Sequence, residues 1–266
     1  MARSHQRTVY DALVRTAAQT LLTIAADPAH LGGRPAILAL LHTWTQDLRY
    51  HPHVHVLITG GGLAPDGTRW VPTPRPDFLF AGYVLSPVFR GHMHDALRRA
   101  NLAGQVAPNT WTRDWVVQVQ TAGSGHRVLE YLGRYVFRIA ITKSRLESFA
   151  NGRVTFRYRD RRTGQQRPRT LPASTFLARS LQHVLPRGFA KVRHYLLASP
   201  TCRRQLDTAR AALPPAPTPV ASANPPDDAG SAAATERVVI PDPDRCPGCH
   251  VGRLVVVAIL PRARPP

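Results

Sequence analysis

The feature that most constrains the fold is a run of period two that ends in three glycines, His51-Pro52-His53-Val54-His55-Val56-Leu57-Ile58-Thr59-Gly60-Gly61-Gly62. Successive side chains on a strand point to opposite faces. The run therefore reads as a β-strand with His51, His53 and His55 on one side and Val54 and Val56 on the other. Two imidazoles on one strand face can hold a single metal ion, or place a base beside a phosphate. A lone strand histidine is ordinarily a surface residue; two in this pattern, ahead of a triple glycine, carry more weight. Neutral imidazoles suit Mn²⁺ and Zn²⁺ better than Mg²⁺. Fixing an ion while leaving positions open to phosphate oxygens needs a third ligand besides His53 and His55, and His42, Asp47 and His51 are the candidates.

A second cluster reads Tyr131-Leu132-Gly133-Arg134-Tyr135, within a predicted helix from Val128 to Phe137. Residues four apart on a helix share a face, so Tyr131 and Tyr135 stack one turn apart. Two aromatic residues at that spacing are commonly core, but here Arg134 and Arg138 flank them. A phenol titrates near 10, so its attack on a phosphodiester needs a nearby cation that favours phenolate.

The charge balance points the same way. Lys and Arg number 35 against 16 Asp and Glu, a formal net charge of +19. Guanidinium forks match phosphate oxygens, so a polyanionic partner is the natural reading. A GC-rich genome also inflates arginine, yet it does not explain the deficit of acids. Three cysteines make no disulfide framework. The start shows no signal-peptide pattern, and no run approaches the roughly 18 apolar residues of a membrane span. The expectation is a cytoplasmic, nucleoid-associated protein with no membrane partner.

The chain order predicts an α+β fold. Residues 7–26 read as a helix stopped by Asp27-Pro28, while Ala36–Trp44 suits either a helix or a buried strand. Residues 53–71 read as a hairpin, and 83–102 as a helix capped by Ser86 with Pro87 in its first turn. Strands are predicted over Trp115–Gln120 and Arg153–Arg159, the second with a cationic outer face that includes Arg157 and Arg159. Residues 174–185 read as a helix. Residues 1–210 form the expected catalytic unit, 211–240 a Pro/Ala-rich disordered linker, and 241–266 a short tail. In the tail Cys246-Pro247-Gly248-Cys249 is half of a structural Zn²⁺ site.

These motifs in this order resemble the two-tyrosine HUH transposases of rolling-circle insertion sequences. The similarity rests on Leu41-His42-Thr43-Trp44, the histidine run and its glycines, the tyrosine cluster, Val154–Tyr158, His183–Phe189 and Val192–Tyr195. The resemblance implies a central antiparallel sheet flanked by helices, with the histidine pair on a middle strand. It also implies that His53 and His55 bind a divalent ion, Mg²⁺ or Mn²⁺, that polarises the scissile phosphate of single-stranded DNA. Tyr131 or Tyr135 then attacks to form a 5′-phosphotyrosine link, and the second tyrosine takes the other strand end. Arg134, Arg138, Arg157 and Arg159 are the implied DNA contacts, at insertion-sequence ends and target. Members of that family begin with a zinc-binding region and a first sheet strand, which are not found here, so the chain is expected to be N-terminally truncated. Phe137 stands where relatives often carry His.

Two other readings compete. His51-x-His53-x-His55-Val56-Leu57 fits the histidine-triad nucleotide hydrolases, but those need neither +19 nor paired tyrosines, and Pro52 interrupts strand hydrogen bonding. A DNA-binding remnant that no longer cuts keeps the basic surface and loses the chemistry.

Overall fold

A computed structural model of the chain describes residues 1–75, 79–121, 140–160 and 163–213. The predicted tyrosine helix with Tyr131, Arg134, Tyr135 and Arg138, residues 214–240 of the expected linker, and Cys246 and Cys249 lie outside these residues; the linker's expected first residue, Ala211, instead closes a helix.

The first helix, α1, spans Gln6–Ala26, and its apolar stripe of Tyr10, Val14, Ala18, Leu21 and Ala25 recurs every three or four residues and is buried. It ends at Asp27, whose carboxylate accepts the Ala29 N–H at 2.8 Å in a turn that Pro28 enforces. The stripe packs on a sheet of order β2-β1-β8, formed by β1 (Ala36–Trp44), β2 (Tyr50–Ile58) and β8 (Val192–Leu196), all antiparallel; among the described residues β1 is the middle strand and β2, with the histidine pair, lies at the edge, where a middle strand was expected. The ambiguity of Ala36–Trp44 resolves as a strand. Its period is blurred because Leu40 and His42 are as buried as Ile37, Ala39 and Leu41 on the opposite face.

Register pairs Leu40 with His55 and His42 with His53, then slips before Trp44 pairs with Tyr50. One extra residue therefore lies on β2 at His51-Pro52, opposite Thr43. A bulge is where a strand accommodates proline without losing a ladder bond. Alternation still runs through β2, sending Tyr50, Val54 and Val56 into the core beneath α1.

The predicted hairpin over residues 53–71 is not formed by the histidine strand. β3 (Gly61–Leu63) pairs instead with β4 (Trp70–Pro72) as a separate ribbon. The glycines explain the break. A Cβ on Gly61 would lie 2.6 Å from the Trp70 indole, and one on Gly62 would lie 2.7 Å from the Arg34 backbone. Backbone packs on backbone here, and Arg34 and Leu63 exchange two main-chain hydrogen bonds.

Helix α2 spans Gly82–Arg99 and packs Met93 and Leu97 against Val9 of α1. It begins a turn before the expected cap, so Pro87 sits inside it and Ser86 is buried. The Ser86 hydroxyl instead accepts the Trp115 N–H at 3.0 Å. Residues 115–120 form no strand: the predicted alternation is real, with Trp115 packed inward and Val116 exposed, but no β-partner flanks it among the described residues.

A second sheet is a meander of β5 (Leu146–Ala150), β6 (Arg153–Arg159) and β7 (Gln166–Pro172). Asn151-Gly152, both at positive φ, turn the chain between β5 and β6. Helix α3 (Ala173–Leu181), shorter than the predicted 174–185, covers its inner face, and α4 (Arg203–Ala211) follows β8. The fold is α+β, as the motif order predicts. No helix among the described residues is long and apolar enough to cross a membrane.

Candidate metal centre

The β1–β2 register brings three imidazoles together on the sheet face turned away from α1. His42 is paired directly across from His53, and His55 follows two residues along the same strand. Ring centroids lie 5.6 Å apart for His42 and His53, 4.5 Å for His42 and His55, and 4.9 Å for His53 and His55. One ring nitrogen from each falls within 4.8 Å of the others. The Nε2 atoms of His53 and His55 are 3.2 Å apart, close to the separation of two ligands that each sit about 2.0–2.1 Å from one tetrahedral ion.

The strand also fixes which nitrogen is offered. His53 Nδ1 donates to the His51 carbonyl at 2.7 Å. In a neutral ring this leaves the Nε2 lone pair facing its neighbours, the outer hydrogen bond that metal-binding histidines commonly make. His42 is 3% exposed, and the Trp44 ring lies over it at 4.8 Å and 19°. Lys191 places its ammonium 5.2 Å from the centre of that indole, and burial lowers the Lys191 pKa.

Of the three candidates for a third ligand, the geometry favours His42. The exposed ring of His51 stands outside the cluster, and its carbonyl does the orienting. Asp47 lies in the turn between β1 and β2 and is engaged there: Thr45 Oγ1, Arg49 Nε and Arg169 Nη1 each donate to its carboxylate at 2.6 Å. Burial raises the Asp47 pKa, but these donors and the two guanidinium charges outweigh it and hold the carboxyl below its usual range. Leu48, fully buried at φ 61°, anchors the same turn in the core of the second sheet beside Phe156 and Leu171.

Arg157 and Arg159 lie on the outer face of β6. Arg157 pairs with Glu147 at 3.0 Å, and Arg159 Nε donates to the Gly164 carbonyl at 2.8 Å. The Trp44 stack, the Lys191 cation and the Asp47–Arg169 link are absent from the sequence reading. Only the neighbouring positions of His42 and Trp44, two apart and so on one strand face, held a signal for any of them.

Three imidazoles gathered between a strand pair can hold one divalent ion. The profile of the family described as "Putative transposase" matches residues 36–205, from the first residue of β1 into α4. The chain belongs to this transposase family. Among curated relatives it is similar to "Putative transposase y4qJ" of Sinorhizobium fredii, 35% identical over 97% of this chain and 70% of that protein. It is also similar to the "Transposase for insertion sequence element IS801" of Pseudomonas savastanoi pv. phaseolicola, at 29% identity over 81% of this chain and 56% of that protein. This family member thus spans little more than half the length of the second relative. No solved structure matches the chain.

Proposed function

We propose that this transposase cleaves and rejoins single-stranded DNA through a metal-assisted tyrosine nucleophile. The observation that carries the reading is the three-histidine cluster with a preset tautomer at His53. His42, His53 and His55 would hold a divalent ion, which would supply Lewis acidity to the scissile phosphate. His42 enters from the buried side, while His53 and His55 are only partly buried, which leaves the outer side of the cluster open to substrate.

Tyr131 or Tyr135 is the nucleophile. The phenol gives up its proton, its oxygen bonds to phosphorus, and the phosphorus–O3′ bond breaks. The departing 3′ oxygen takes up a proton, leaving a 3′-OH and a 5′-phosphotyrosine. Attack by a 3′-OH on that ester reverses the step and rejoins the strand, and the second tyrosine holds the other end. Arg134 and Arg138 flank the phenols in sequence and serve as phosphate contacts. The substrates are the ends of an insertion sequence and its target, the compartment is the cytoplasm, and Cys246 and Cys249 contribute to a structural Zn²⁺ site in the tail.

The test is incubation with labelled single-stranded DNA from the element's own ends and Mn²⁺ or Mg²⁺, read on a denaturing gel. A covalent protein–DNA adduct is expected. It disappears in Tyr131→Phe/Tyr135→Phe and falls at least about 100-fold in His53→Ala/His55→Ala. A folded protein that binds these ends and forms no adduct is instead the non-cutting remnant.

A further inference from the structure

We propose that the outer face of the β5–β6–β7 sheet is a grip for the phosphate backbone of DNA, read through charge and not through bases. The inference rests on the DNA partner of the reading above, not on its chemistry.

Alternation sorts the sheet into two unlike faces. Phe156 and Tyr158 of β6 turn inward onto Leu48, Leu171 and Phe176, and Val154, the register partner of Leu171, shares their side of the strand. The outward positions are Arg153, Thr155, Arg157 and Arg159. Their register partners on β7 are Pro172, Thr170, Pro168 and Gln166. None of these eight outward residues is acidic, and those on β7 are uncharged, so the guanidinium groups stand above a low surface. Thr155 and Thr170 join across it at 2.9 Å. Arg153 and Arg159 lie about 20 Å apart along the strand, and Arg157 and Arg159 about 7 Å apart. That is a row of cations suited to successive phosphates. A surface merely kept soluble would interleave both signs.

The same sorting decides what the face recognises. Binding to single strands through bases needs exposed aromatic platforms. Here Phe156 and Tyr158 face the core, and Phe149, although exposed, pairs with Val154 on the inner side. Arginines and hydroxyls without aromatic rings contact phosphate and set position without reading sequence. Among the described residues Glu147 borders the face; it is paired with Arg157 and competes with a phosphate for it.

The face is tied to the histidine hairpin. Arg169, the register partner of Phe156 on the inner side, holds Asp47 in the β1–β2 turn. Leu48 of that turn sits in the sheet's own core, and Arg145, just before β5, donates to the Gln46 carbonyl. A strand gripped on the outer face is therefore held in fixed relation to the imidazoles.

The test measures binding of a 30-nucleotide fluorescein-labelled DNA of mixed sequence by anisotropy across a salt series. EDTA is present and the protein carries Tyr131→Phe/Tyr135→Phe, so neither metal nor covalent chemistry enters. Arg153→Gln/Arg157→Gln is expected to make the log–log salt slope shallower by about 1.4, two phosphate contacts at about 0.7 each for a single strand. Glu147→Gln is expected to tighten binding two- to threefold, and Thr170→Glu to weaken it. The control, Arg98→Gln/Arg99→Gln at the end of α2, removes the same charge elsewhere and is expected to leave the slope unchanged. An equal slope change in the control, or none in Arg153→Gln/Arg157→Gln and in Thr170→Glu, overturns the proposal. Circular dichroism on each variant confirms the fold, and Thr170→Glu leaves both arginines in place.

Discussion

At His53 the imidazole is steered by the main chain of its own strand, because Nδ1 donates to the carbonyl two residues back. At His42 the steering is done by an indole stacked on the ring. Both devices act on a ligand before any ion arrives, so removing them should weaken metal binding without removing a donor. Trp44→Ala is expected to lower Mn²⁺ affinity about tenfold, in the range of outer-shell losses at metal sites. Trp44→Phe, which keeps a ring over His42, should stay within about threefold of the parent. His42→Ala removes a donor and is expected to lose at least about 100-fold. Titration of free Mn²⁺ by electron paramagnetic resonance reads all three. Equal losses in the alanine and phenylalanine variants of Trp44 would remove the stack from the account.

Among the elements, the β1–β2 turn joins the two sheets, and its stability follows from two side chains. Leu48 is fully buried in a left-handed backbone conformation that disfavours branched chains, so the core contact must outweigh the strain. Leu48→Ala is expected to cost about 3 kcal/mol in urea unfolding. Asp47 carries the pH dependence. Its carboxyl is held below the usual range when folded, so its contribution is complete above the ordinary carboxylate value near 4 and is lost as pH falls through the depressed folded value. Asp47→Ala is expected to destabilise by about 3 kcal/mol at neutral pH, the cost of leaving Arg169 without its buried partner. It should also flatten the decline in stability below about pH 4. The same turn shows how far the sequence can be read. The histidine alternation and the cationic face of β6 were legible because one side of each strand differs chemically from the other. Ala36–Trp44 was not, because a strand buried on both faces loses its period. Ser86 looked like a helix cap because Ser-Pro has that form locally, whereas a distant partner, the Trp115 N–H, decides its role. Asp47 looked like a metal ligand for the same reason: Arg169, which engages it, is far along the chain.

For the whole molecule, α1 and its neighbours close one face of the β2-β1-β8 sheet and leave the imidazoles on the other. A ligand held there by two strands of the central sheet couples to global unfolding. Mn²⁺ at a hundred times its dissociation constant is expected to add about 2.7 kcal/mol. His42→Ala/His53→Ala/His55→Ala should gain nothing from the same addition. Differential scanning calorimetry with and without the ion distinguishes the cases, and an equal rise in the triple variant would place the ion elsewhere.

The bulge at His51-Pro52 has a consequence for how this hairpin assembles. A one-residue slip between β1 and β2 would put Val54 or Pro52 opposite His42 and send His53 and His55 to the side that α1 covers. Of these three alignments only the native one puts His42, His53 and His55 on one face. An ion held by all three imidazoles would therefore favour the native alignment over either one-residue slip.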